Sequence, residues 1–435
     1  MATAWIFGAS TCAAMILSII FFPKIHLGKL RTDSYWLITL TGAVIVLATG
    51  TANIGDVAKQ LISDTPVNPV KILVLFISMT VLSVFLDEVG FFSFLAAKTL
   101  KFAKNSQITL FVSLYLTVSL LTVFTSNDII ILTFTPFICY FAKNANISPV
   151  PYLFAEFIAA NTWSMALIIG NPTNVYLSAA GGIGFGEYFK MMILPTLAAG
   201  LVSFGVLFLI FRRKLSEKIS GAVPEASIKD KPLLVIGLLH LGLCTVLLAV
   251  SSYAGFEMWY VALGFAVSLF ICVLLASAFR KKKPSELGEC VKRAPWQLIP
   301  FVLSMFVIIL ALEENGVTES IARFFGEDHT VWKYGVSSFL ASNVINNIPM
   351  SVLFSSISSN LQGNAASGAL FASVAGSNIG AFLTPVGALA GMMWSSILKS
   401  HGVPFSFGKF VKYGLPVSVA ALGAALLILS LEINF

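Results

Sequence analysis

Charge is scarce in this chain. Of its 435 residues only 11% are Asp, Glu, Lys or Arg, against 57% hydrophobic, and a water-soluble domain has no means of hiding that much apolar surface. The shortage excludes an ordinary soluble fold and implies an all-α polytopic membrane protein embedded in a lipid bilayer. Cysteine is sparse and unpatterned. Cys12, Cys139, Cys244, Cys272 and Cys290 show no CxxC and no metal-ligand spacing, so a disulfide framework and a zinc site are excluded and ordinary packing cysteines are expected. There is no GxxxxGK[ST] loop and no soluble domain to hold one, which excludes a pump with its own nucleotide site. No cofactor is expected. The apolar stretch 4–22 lacks a basic leader and a small-residue cleavage site, so it reads as a retained helix. The net charge of +7 resides on loop Lys and Arg, which report orientation rather than a nucleic-acid partner.

What is abundant is apolar sequence of helical length. Spans are expected at 4–22, 36–54, 71–87, 149–169, 187–211, 233–250, 258–279, 296–312, 364–398 and 411–432, about ten crossings. Two further runs, 108–142 and 327–358, are interrupted centrally by Ser126-Asn127-Asp128 and by Ile345-Asn346-Asn347. Each is expected to be a re-entrant hairpin of two short arms, because non-helical backbone at membrane depth is tolerated only against protein or a water-filled cavity. Lys24, Lys29 and Arg31, then Lys98, Lys101, Lys104 and Lys143, then Arg212 to Lys214 fall on alternate loops, which places those loops in the cytoplasm and both termini outside. The first hairpin then starts from the cytoplasm and the second from outside.

That opposition implies an inverted repeat. Leu86-Asp87-Glu88-Val89-Gly90 is echoed by Leu312-Glu313-Glu314-Asn315-Gly316, and Asn161 with Gly170 by Asn378 with Gly387. The expected units are 1–211 and 233–435, joined by a cytoplasmic linker 212–232 that contains Gly221 and Pro224. Inverted repeats with matched broken helices mark secondary transporters, with the site near the midplane. Phe91 to Phe102 and Val317 to Phe325 read as amphipathic helices at the interface. Pro136, Pro172, Pro349 and Pro385 are expected to mark lost helical continuity, and helix N-termini after Gly170 and Gly376 to offer partial positive charge.

Asp128 is the one acid expected near mid-membrane, where a carboxylate must be paired, hold a cation or carry a proton. It is the leading ion-coupling residue; the alternative is that it caps the second hairpin arm. Glu156 is a second candidate, with contact to solvent or a lysine near the cytoplasmic end as the favoured reading. Ser126, Asn127, Asn346 and Asn347 at the tips, Asn161, Asn171, Thr173 and Asn174 in the fourth span, and Asn378 and Thr384 in its counterpart form the candidate substrate site. Amides and hydroxyls suit a small polyhydroxylated solute, though interhelical hydrogen bonding is an alternative use for some of them. The middle of every expected span lacks Lys and Arg, which disfavours a di- or tricarboxylate.

At Ser126-Asn127-Asp128 with Leu132-Thr133 and Thr135-Pro136, at Asn343 to Pro349, and at Gly376 to Trp394, the chain resembles the arsenite efflux permeases of the ion transporter superfamily. The resemblance extends to Asn161, Gly170 and Asn174 and over nearly the whole length. It implies two inverted repeats, each with a re-entrant hairpin, and export of trivalent arsenite or antimonite in exchange for protons at the cell membrane, in some members with a separate cytoplasmic ATPase subunit. Asn378 stands where many such permeases carry Asp, which leaves Asp128 with more of the coupling. Sodium/proton exchange or sodium-coupled carriage of a small anion is the alternative within the superfamily, and a non-transporting membrane scaffold the alternative outside it.

Overall fold

The computed structural model describes residues 2–22, 24–27, 30–65, 68–102, 106–216, 226–403 and 405–434. Lys29, Lys104, Gly221 and Pro224, on which the expected orientation and linker partly rest, lie outside the described residues. The described residues form α1 (Ala2–Phe21), a hairpin of β1 (Lys24–Leu27) and β2 (Leu30–Asp33), α2 (Tyr35–Ala48), α3 (Ile54–Ile62), α4 (Pro69–Glu88) and α5 (Phe91–Phe102). Then come α6 (Gln107–Phe124), α7 (Asn127–Asn144), α8 (Val150–Trp163), α9 (Pro172–Ala180) and α10 (Phe185–Phe211). The later part contains α11 (Lys231–Ala254), α12 (Met258–Phe279), α13 (Ser285–Arg293), α14 (Leu298–Glu314) and α15 (Val317–Phe325). It ends with α16 (Thr330–Ile345), α17 (Asn347–Ser358), α18 (Gly363–Gly380), α19 (Leu389–Ser400) and α20 (Phe407–Asn434).

Each of the first ten helices has its counterpart ten places later, and the packing is exchanged between the two sets. Hairpin arm α7 packs on α19 and its counterpart α17 packs on α9, while α2 lies on α14 and α12 on α4. The result is the all-α inverted-repeat membrane fold. The β1–β2 hairpin is the one departure from all-α among the described residues, and neither α3 nor α13 is expected from hydropathy because both are short and amphipathic.

Among the described residues eight helices are long and apolar enough to cross a membrane. One of them is α6, so the first hairpin has a full-length arm in place of one of the two short arms expected. Three expected crossings take other forms. The span 36–54 shortens to α2, whereas 149–169 breaks between α8 and α9 and 364–398 between α18 and α19. Local chemistry sets several starts. Asn68 caps α4 by accepting from Val70 and Lys71 N–H, with Pro69 at the first helical position, and Asn171 with Pro172 begins α9 in the same manner. Pro136 does not end a helix; α7 runs through it.

The acidic echo closes the two ends of the molecule. Gly90 and Gly316 follow α4 and α14 in the left-handed conformation, at φ 86° and 70°, where a side chain would be strained. The acids just before them reach into the opposite half. Arg293 at the end of α13 bonds Asp87 at 2.6 Å and also Glu88, and Asp87 accepts from Thr133 of α7 at 2.8 Å. At the other end the clasp uses backbone: Asn53 N–H donates to Glu314 at 3.2 Å and Asn315 Nδ2 to the Thr51 carbonyl at 3.1 Å. Back at the Gly90 end, where Lys229 N–H bonds the Val89 carbonyl, Asp230 caps α11 and takes a bidentate pair from Arg280, which holds its carboxyl below the usual carboxylate range. Arg293→Ala is expected to cost about 1–3 kcal/mol, since it strips two half-buried acids of a charge-assisted partner. Disrupting the exposed Glu319–Arg323 pair should cost about 0.5 kcal/mol or less. Thermal unfolding of the detergent-solubilised protein compares the two.

Candidate functional site

The first tip is built from Thr125, whose backbone is extended, and Ser126, which caps α7 by accepting the Asp128 N–H at 3.3 Å. Asn127 Oδ1 accepts the same N–H at 2.9 Å, and its Nδ2 donates to Asn161 Oδ1 at 3.0 Å. Capping is therefore done by Ser126 and Asn127. The Asp128 carboxylate makes no hydrogen bond or ion pair among the described residues; it is partly buried in the first turn of α7, within electrostatic reach of Tyr35 at the start of α2.

The second tip is tighter. Asn346 has φ 71°, a conformation tolerated by Asn and costly for most side chains. It is held by Nδ2 donation to the Val386 carbonyl at 3.0 Å, beside a 3.0 Å bond from Asn347 N–H to the Gly387 carbonyl. Thr384 gives its N–H and its hydroxyl to Asn343 Oδ1, at 3.1 and 2.7 Å. The Asn347 side-chain oxygen is buried with no partner.

Between the tips, the two broken helices meet at Asn378. Its Oδ1 receives Ser164 Oγ and Asn171 Nδ2, both at 2.9 Å, while its Nδ2 donates to Asn174 Oδ1 at 2.7 Å and to the Val374 carbonyl at 2.9 Å. All four bonds an amide can make are used, and the residue is 0% exposed. The single hydroxyl hydrogen of Ser164 is shared between Asn378 Oδ1 and the Asn161 carbonyl, so the first tip and the knot form one chain. Thr173 is placed against Asn171 and Asn174. Gly170 belongs to the same turn, where a Cβ would lie 2.3 Å from the Ser164 carbonyl.

Two expectations fail here. Gly376 begins no helix; it lies inside α18, where a Cβ would come within 2.6 Å of the Gly335 carbonyl on α16, and the break falls after Gly380. Glu156 does not face solvent or a lysine. It is 0% exposed and accepts from Thr135 Oγ1 at 3.0 Å. Hydropathy alone misses this because one acid scarcely alters a twenty-residue window. Ser164, Asn343, Thr162 and Ser377 are not among the site residues expected from the sequence, although Asn343 and Ser377 lie in segments that carry the resemblance; the Thr162 and Ser377 hydroxyls are buried without a partner among the described residues. Asn343 has a visible signal in its Asn-rich neighbourhood, whereas Thr162 and Ser164 have none.

A matched pair of hairpins and broken helices around a buried polar centre is transporter architecture. Residues 33–376 match the family described as citrate transporter. The chain belongs to that family. This citrate-transporter family member is a multi-pass membrane transporter and not an enzyme. It is 27% identical over 420 residues to the arsenical pump membrane protein of Escherichia coli K12, with 92% of this chain and 94% of the relative covered. It is 25% identical over 401 residues to a putative arsenical pump membrane protein of Bacillus subtilis, with 85% and 88% covered. Its fold is similar to that of the YdaH transporter of Alcanivorax borkumensis, at a TM-score of 0.59 and 14% identity over 99% of this chain and 98% of the other. MtrF of Neisseria gonorrhoeae, described as one of a class of antimetabolite efflux pumps, aligns at 0.51 and 14% over 98% and 94%.

The saturated knot makes a stability prediction. Asn378→Ala orphans groups on Ser164, Asn171 and Asn174 together and should cost roughly 2–5 kcal/mol. Asn364→Ala, at an exposed position, should stay within about 0.5 kcal/mol. Thermal unfolding of the two variants side by side checks this.

Proposed function

We propose that the protein exports trivalent metalloid, As(III) or Sb(III), in exchange for protons. The observation that carries the reading is the unpartnered Asp128 carboxylate at the first tip beside neutral amides and hydroxyls. Near neutral pH the cargo is an uncharged trihydroxide, which such groups hydrogen-bond without the cost of desolvating full charges. The names of relatives that match over most of the chain support the same cargo.

Within this reading, Asn127, Asn347, Thr162 and Ser377 have hydrogen-bonding capacity to offer the cargo. Ser126, Asn161, Asn171, Thr173, Asn174, Asn346, Asn378 and Thr384 spend theirs largely on one another and hold the site in shape. The units 1–211 and 233–435 are joined on the cytoplasmic side by 212–232, with the first hairpin entering from the cytoplasm and the second from outside. Hairpins and broken helices move together against the remaining spans. Exchanging a neutral cargo for a proton moves one charge, so the membrane potential contributes about 2.3 kcal/mol per 100 mV.

The family description favours a second reading, carriage of citrate with sodium. A tricarboxylate calls for cations, and among the described residues no Lys or Arg is buried; sodium ions and helix N-termini are the substitutes that reading needs. Everted vesicles separate the two. Arsenite should accumulate under an inward-acid gradient without ATP or sodium; sodium-dependent citrate uptake with no arsenite accumulation would refute the metalloid reading. A cytoplasmic ATPase subunit is an addition whose effect the same vesicles measure. Asp128→Asn should leave the protein folded and inserted while lowering proton-driven accumulation by about tenfold or more. Accumulation that keeps its pH dependence in this variant would remove Asp128 from the coupling.

A further inference from the structure

Glu156 is a charged residue type with no part in the scheme above. It lies in α8, fully buried, and its surroundings come from both halves of the molecule. One oxygen accepts from Thr135 of α7. The other is without a hydrogen bond and faces the indole of Trp394 in α19, whose N–H is likewise buried and unpartnered. Trp394 closes the place against water by packing on Phe154 and Phe157 at ring-centre distances of 5.7 and 5.1 Å. The titratable neighbour is Cys139, one turn beyond Thr135 on α7. Tyr115 of α6 and Tyr188 of α10 give their hydroxyls to the carbonyls of Gly200 and Met165. Of the charged groups on the surrounding helices, α20 included, Lys143, Glu187, Lys190, Lys399, Lys409 and Lys412 are exposed, and Asp128 and Glu432 are partly buried; α6 and α18 carry none.

A permanent carboxylate in this place would be a buried charge without a counter-charge, which costs several kcal/mol even after relaxation. A carboxyl that exchanges its proton avoids that cost in one state and uses the charge in the other. When charged, it draws both the Thr135 hydroxyl and the Trp394 indole N–H into charge-assisted bonds, tying α7 and α19 to α8. When it takes up a proton, that pull is lost and the contact between the first hairpin and the opposite half's broken helix loosens. We propose that Glu156 is a second proton-binding site, distinct from Asp128, whose protonation sets how firmly α7 and α19 are held to α8. Its role in transport rests on the proton-coupled reading above; its protonation does not depend on the cargo.

The test is an infrared pH titration of the purified protein in liposomes with no cargo present. The wild type should show a protonated-carboxyl band that titrates, absent in Glu156→Gln and retained in Asp128→Asn. Thr135→Val removes one donor to the charged form and should displace that band's midpoint by about tenfold in proton activity. A band unchanged in Glu156→Gln, or a midpoint that Thr135→Val leaves in place, overturns the proposal. Failure of arsenite accumulation in vesicles would leave these titrations untouched, so the two readings fall separately.

Discussion

The arrangement of this transporter depends on one saturated amide. Asn378 receives two hydrogen bonds and gives two, and its side-chain partners come from the corresponding break in the opposite half. In a medium without water a broken helix leaves backbone and side-chain groups that must find partners in protein. Asn378 answers that need for both breaks together. An aspartate would present four acceptor sites and no donor when ionised, setting an acceptor against Asn174 Oδ1 where Asn378 Nδ2 now donates. The amide is therefore suited to a centre that stays closed on itself, while the two acids of the proposed proton chemistry, Asp128 and Glu156, lie elsewhere.

The two tips divide the labour differently. The first is capped by side chains that leave Asp128 unpaired, and the second is pinned to its own broken helix by backbone and side-chain bonds. A strained Asn346 persists there because the surrounding bonds over-determine it. Among the described residues the free polar capacity lies at Asn127, Asn347, Thr162 and Ser377. Polar groups near both tips and both breaks thus remain available to a cargo, while the scaffold's own polar needs are met by neighbouring residues.

Much of this is legible in the order of the amino acids. Two polar interruptions in long apolar runs locate both hairpins, and the repeated acidic segment marks the ends of α4 and α14, because such signals alter a window of many residues. What escapes is encoded one residue at a time. Glu156 is a single acid in an apolar helix, and only the distant Thr135 and Trp394 show what surrounds it. Gly376 reads as a break because glycine commonly marks one, yet here it permits α18 to approach α16. The short α3 and α13 lie below the length at which hydropathy separates a helix from a loop, and the full length of α6 is obscured because its apolar run continues past the turn.

The clasps at the two ends differ in substance although they occupy matched positions. One is a guanidinium gripping two carboxylates; the other is a single carboxylate, Glu314, held by a backbone N–H, beside an amide that holds a backbone carbonyl, without a cation. Dissolved salt acts on these unequally, since mobile ions screen exposed charges within a Debye length of about 8–10 Å and scarcely touch neutral dipoles. The pseudo-symmetric machine therefore has a built-in bias: a change in ionic strength weighs more on the closure that is an ion pair than on the one that is not. The two closures thus share a place in the repeat but not a chemistry.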